Sequence, residues 1–238
     1  MIEAKDIKRT FVNGKVETPV LKGIDVSIKE GEFVAIMGRS GAGKSTLLYQ
    51  LSLLDQPSSG KIKIGKKDML KLSQTEKTKY RLKNMGFIFQ DYALIPELTA
   101  TENVMMPLLM QGYNTGYAKK KSQEKLASLG LKKQFDNLPS QLSGGEQQRV
   151  SIARAIVHDP KIIFADEPTA NLDLSSAKNI IEILEDLRSQ GKHTIVMVTH
   201  EKDYGKRTDR IIWLEDGMLE KEEKNKKIKK TKKKLKKN

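Results

Sequence analysis

Phe33-Val34-Ala35-Ile36-Met37-Gly38-Arg39-Ser40-Gly41-Ala42-Gly43-Lys44-Ser45-Thr46-Leu47-Leu48 runs from an apolar stretch through a glycine loop into the first leucines of a helical pattern. A short apolar run of this kind suits a strand buried in a parallel sheet. Gly38 to Ser45 fills every fixed position of G-x-x-x-x-G-K-[ST]. The glycines of that motif let successive backbone N–H groups turn inward around phosphate oxygens. The helix expected over Lys44–Leu54 sets the positive end of its dipole behind the same anion. Strand before and helix after separate a phosphate loop from an ordinary glycine turn. Gly38, Arg39, Ser40, Gly41, Ala42, Gly43, Lys44, Ser45 and Thr46 are therefore the candidates for nucleotide contact. Lys44 is suited to the outer phosphates and Ser45 to a Mg²⁺ ion.

Two further apolar runs carry chemistry at their C-terminal ends. Ile162-Ile163-Phe164-Ala165 leads into Asp166-Glu167, and Thr194-Ile195-Val196-Met197-Val198-Thr199 leads into His200, 34 positions after Asp166. Open parallel sheets bind ligands at that end of their strands. Alone, an apolar run ending in Asp-Glu is more often a strand meeting a surface turn; the glycine loop upstream reverses that preference. Asp166 then suits metal orientation, and Glu167 suits activation of a water. Between these runs stands Leu142-Ser143-Gly144-Gly145-Glu146-Gln147, with Ser143 99 positions after Lys44. It places a hydroxyl and two glycine amides at the start of a helix expected over Gly144–His158, a second place where N–H groups face an anion.

Glycine loop, L-S-G-G-E-Q and a strand ending Asp-Glu, in this order, resemble the ATP-binding cassette (ABC) ATPases over about residues 1–220. The resemblance implies an α/β fold: a RecA-like P-loop NTPase core (1–90 and 159–220) with an N-terminal antiparallel β subdomain and an inserted α-helical subdomain (91–158). It implies that Glu167 is the catalytic base and that His200 contacts the γ-phosphate. Gln90, closing Gly86-Phe87-Ile88-Phe89, matches the glutamine that touches Mg²⁺ beside Ser45 and Asp166. Asn171-Leu172-Asp173 falls at the loop that crosses the dimer interface. Phe11, 33 residues before Lys44, stands where relatives stack an aromatic on adenine; phenylalanine keeps the stacking face, although aromatics near strand ends also serve cores. Arg39 stands where relatives often carry proline. His158 and His193 match nothing. The signature is implied to cap ATP held by a second copy, giving a homodimer around two Mg-ATP that loosens when the γ-phosphate is cleaved. Kinases, GTPases and helicases lack that element.

The remaining sequence narrows the branch. One cassette in 238 residues is unlike the two-cassette translation factors, and the 99-position gap leaves no room for the coiled coils of chromosome-structure members. No apolar run approaches the ~20 residues of a membrane span, and the N-terminus lacks a signal-peptide pattern. The absence of cysteine fits a reducing, cytoplasmic setting. The resemblance thus points to a detached transporter ATPase on the cytoplasmic face of a membrane, with a separately encoded permease. The stretch Gly86–Val104 with Met106-Pro107-Leu108-Leu109 looks like the lipoprotein-releasing, macrolide-exporting and cell-division group. Residues 91–110, Tyr92 and Leu94 among them, are expected to receive the permease's cytoplasmic helix. A non-transport role, transmitting force to a cell-wall or division partner, stays open.

The net charge of +14 is concentrated at one end. Residues 224–238 hold ten Lys and no acid, leaving 34 basic against 30 acidic residues elsewhere. Nucleic acid is therefore not the expected partner of the cassette. Residues 221–238 are expected to be a solvated lysine tail, open to a second reading in which they meet anionic lipid headgroups.

Overall fold

The protein was studied as a computed structural model, which describes residues 1–225. Strands β1 (Ile2–Asn13) and β2 (Val16–Ile28) form a hairpin. With β4 (Ser59–Ile64) and β5 (Lys67–Asp68) they make an antiparallel sheet of order β2-β1-β4-β5. The larger sheet contains β3 (Phe33–Gly38), β6 (Met85–Ile88), β7 (Ile162–Asp166), β8 (Thr194–Val198), β9 (Arg210–Glu215) and β10 (Met218–Lys224). Its order is β10-β9-β3-β8-β7-β6. Only the β9–β10 pairing is antiparallel.

Alternation along the central strands decides what covers each face. Val34, Ile36, Phe164, Val196 and Val198 pack with Leu47, Leu48 and Leu51 of helix α1 (Lys44–Leu51) and with the inner face of the antiparallel sheet. The intervening Phe33, Ile163, Ala165, Ile195 and Met197 face the other way. There they meet helices α5 (Gly144–Ile156) and α6 (Leu174–Ser189). Helix α2 (Gln74–Asn84) precedes β6, α3 (Ala100–Met110) and α4 (Thr115–Ser128) build the inserted lobe, and α7 (Lys202–Gly205) follows β8. No helix among the described residues is long and apolar enough to cross a membrane.

Several boundaries differ from the sequence reading. Helix α1 stops at Leu51 rather than Leu54, because Leu53 turns left-handed at φ 61°. Helix α3 starts at Ala100, where Thr99 and Glu102 form a reciprocal cap. The folded unit does not end at residue 220. Strand β10 continues to Lys224, with Glu222 paired to Arg210 at 2.6 Å, and the Asn225 side chain donates to the carbonyls of Gly205 and Thr208. The rest of the lysine tail, residues 226–238, lies outside the described residues.

The inserted lobe is not a separate body. Ala100, Val104, Leu108, Ala118 and Leu126 pack on Val150, Ala153 and Val157 at the rear of α5. The other flank of α5, Ile152, Ala155 and Ile156, joins the sheet core. Gly86 lets that flank come close to β6, since a Cβ there would lie 2.1 Å from the Ala155 carbonyl oxygen.

Candidate active site

The glycine loop leaves β3 and enters α1 through Gly43, whose φ of 92° is left-handed and whose lack of a side chain leaves the helix with no side-chain cap. The first N–H groups of α1 are thus available to an anion. Lys44 Nζ donates to the Arg39 carbonyl at 3.0 Å, folding back along the loop. Arg39, Ser40 and Gly41 are exposed, Ala42 is buried and Thr46 is half-buried.

At the end of β7, Asp166 is only 7% exposed. Ser45 donates its hydroxyl to one carboxylate oxygen at 2.8 Å, and Tyr49 donates to the other at 2.8 Å. Burial first, then the bond to Asp166, pushes the Tyr49 hydroxyl up to about 12. Glu167 takes a left-handed φ of 45°, its N–H donating to the Val198 carbonyl. A non-glycine residue in that region is backbone strain of the kind that collects at functional sites. The turn directs the carboxylate to His200, whose Nδ1 lies 3.0 Å from Oε2. Glu167's side chain is 13% exposed and that of His200 58%. Three neighbouring strand ends thus bring Ser45, Asp166, Glu167 and His200 together.

The signature lies at the start of α5. Ser143 accepts from the Glu146 N–H, while Glu146 accepts from the Ser143 N–H at 2.8 Å and its hydroxyl at 2.9 Å. That reciprocal cap holds the Glu146 carboxyl below the usual carboxylate range. Leu142 is buried in the inserted lobe, and Gln147 donates to its carbonyl. Gly145 is buried and Gly144 half-buried. No hydrogen bond among the described residues joins these six to the glycine loop, Asp166, Glu167 or His200.

The family model described as ABC transporter matches residues 21–170. This chain belongs to the ABC transporter ATP-binding family. It is 43% identical over 219 residues to a lipoprotein-releasing system ATP-binding protein LolD from Xanthomonas oryzae pv. oryzae, covering 92% of this chain and 90% of that one. A macrolide export ATP-binding/permease protein MacB from Marinobacter nauticus is 47% identical over 219 residues, 92% of this chain but 34% of that longer protein. The ATP-binding cassette MJ0796, solved as a dimer in a post-hydrolysis state bound to ADP and Pi, superposes with a TM-score of 0.89 at 40% identity. It covers 96% of this chain and 100% of that one.

Other family positions of this ABC chain are partly engaged in its own framework. Gln90 stands exposed two residues past β6, its side chain bonded to neither Ser45 nor Asp166. Asn171 donates to the Gln90 carbonyl and the Asp91 carboxylate, both at 3.3 Å. Leu172 packs on the sheet core, and Asp173 caps α6 by accepting from Ser175 and Ser176 N–H groups. Those bonds hold the Asp173 carboxyl low. Phe11 is exposed, with the Arg9 guanidinium 4.4 Å over its ring. One ring face is therefore taken by the cation, while the residue as a whole stays exposed. His158 bonds the Met85 carbonyl of β6, and His193 bonds the Pro160 carbonyl in the loop before β7.

Tyr49 and Arg154 escaped the sequence reading as site residues. Only the polarity of Tyr49 in a leucine-rich helix pointed to it. Tyr92 is half-buried: its hydroxyl donates to the Asn171 carbonyl at 3.4 Å and would meet a Cβ on Gly144 at 2.9 Å. Tyr92 and Ala93 both have left-handed φ, and Arg154 of α5 donates to both carbonyls. Leu94 packs against the core of the inserted lobe.

Proposed function

We propose that this chain is the ATP-hydrolysing subunit of a transporter, working as a homodimer on a separate membrane permease. The observation that carries the reading is the separation of two anion-binding helix starts within one chain. The start of α1 sits beside Asp166, Glu167 and His200, whereas the start of α5 makes no hydrogen bond to that group. Two copies related by a twofold axis bring each α5 to the other copy's glycine loop, and the dimers of the similar cassette MJ0796 support this.

In this reading Lys44 and the α1 amides hold the β- and γ-phosphates of ATP. Phe11 offers its exposed ring to adenine. Glu167 accepts the proton of the attacking water, and His200, through its bond to Oε2, fixes the direction of that carboxylate. The buried Asp166 carboxylate beside the Ser45 hydroxyl, without a cationic side chain, is a hard-oxygen donor set that fits Mg²⁺. When bound, Mg²⁺ neutralises charge on the phosphate oxygens. Gln90 reaches that pair only after its loop shifts, in keeping with a residue linking the site to the inserted lobe.

The permease surface falls on the apolar side chains left outside by residues 91–110: Ile95, Leu109 and Met110. Asn103 pins the first of these by bonding the backbone of Ile95 on both sides. These three lie beside the half-buried Tyr92 and Leu94 expected to share the contact. Ile95→Asp and Met110→Asp should leave ATPase activity without permease within about twofold, as for exposed substitutions. Both should lose stimulation by the permease reconstituted in vesicles. Retained stimulation in both variants would remove this surface from the proposal.

A further inference from the structure

Asp166 has both carboxylate oxygens committed to hydroxyls of one helix, Ser45 to Oδ1 and Tyr49 to Oδ2, each at 2.8 Å. The two donors are four residues apart and so lie on one face of α1. Among the described residues no Lys, Arg or His pairs with this carboxylate. A buried carboxylate in that position is costly unless it is fully hydrogen-bonded. The glycine-loop motif accounts for Ser45. It does not account for a phenol one turn further on.

We propose that Tyr49 is a positioning residue that sets metal specificity, holding Oδ2 so that Asp166 meets the nucleotide's metal only through water. The inference rests on the Mg-nucleotide reading above. Ca²⁺ takes carboxylate oxygens directly and often in pairs, whereas Mg²⁺ is small, dehydrates reluctantly and keeps several waters. A carboxylate with one oxygen bonded to a phenol and the other to Ser45 has a lone pair of each oxygen occupied and its plane fixed, which disfavours clamping an ion with both. The same bond fixes the carboxylate plane, leaving Oδ1 with Ser45. Tyr49 thus disfavours the larger ion without touching it.

The test is binding of a fluorescent ADP analogue to the full chain, wild type and Tyr49→Phe, titrated with Mg²⁺, with Ca²⁺ and in EDTA. In the variant, the Ca²⁺ needed for half-maximal binding should fall relative to Mg²⁺ by about fivefold or more, because direct two-oxygen ligation is no longer opposed by the phenol. Affinity in EDTA should stay unchanged. Equal shifts for both metals, or no shift, overturn the proposal. A parallel loss in EDTA would also overturn it, marking Tyr49 as a packing group only. Wild-type binding indifferent to both metals would instead bring down the Mg-nucleotide reading itself.

Discussion

Glu167→Gln should lower steady-state ATP turnover about a hundredfold or more, roughly 2.7 kcal/mol of barrier, within the range of a lost general base. The amide keeps the size of the carboxylate and still offers an oxygen to His200, so the turn at Glu167 and the strand ends around it persist. What disappears is the capacity to take a proton from water. The variant should therefore bind Mg-ATP and accumulate as a dimer on size exclusion, since the γ-phosphate that both helix starts recognise is never removed. Near-normal turnover would take the base role from Glu167. Loss of both turnover and dimer would mean the change had damaged the site rather than the chemistry.

The second large effect belongs to Ser143. Ser143→Asp retains a side-chain acceptor for the Glu146 N–H and gives up only the hydroxyl's bond to the Glu146 carboxylate, which can swing into solvent; aspartate is as good an N-cap as serine, so α5 should still form. The substitution nevertheless sets a carboxylate where the partner's triphosphate is expected. In the Glu167→Gln background it should raise the ATP-dependent dimer dissociation constant about a hundredfold or more, roughly 2.8 kcal/mol. ATP binding to the monomer should be unaffected, because no hydrogen bond joins Ser143 to its own glycine loop. Analytical ultracentrifugation with and without ATP separates the two. A dimer that survives, with unchanged ATP dependence, would place the signature outside the nucleotide pocket.

Strong local signals made the sheet core legible from sequence. β3, β7 and β8 are unbroken apolar runs because both faces are covered, and each delivers its polar residues at one end. That is why Ser45, Asp166, Glu167 and His200 could be named and are found together. Less was visible where one face is wet. β4 carries its pattern in alternate lysines and isoleucines, Lys61-Ile62-Lys63-Ile64, and only Ile62 and Ile64 are buried. Helix α2 buries only Lys77 and announces itself through the Ser73–Glu76 cap alone. Strand β10 is a charged edge strand, so it merged with the lysines that follow. The placement of Tyr92 was not visible either: left-handed backbone at Tyr92 and Ala93, bonded by Arg154, leaves it half-buried with its hydroxyl on the Asn171 carbonyl. No linear pattern encodes that turn.

Helix α5 gives opposite flanks to two apolar packings, and Gly86 removes the one side chain that could hold it off the sheet. Among the described residues there is therefore no seam along which the inserted lobe could come loose. Melting the lobe would strip one wall from the sheet as well, so heat should dismantle both in a single cooperative event.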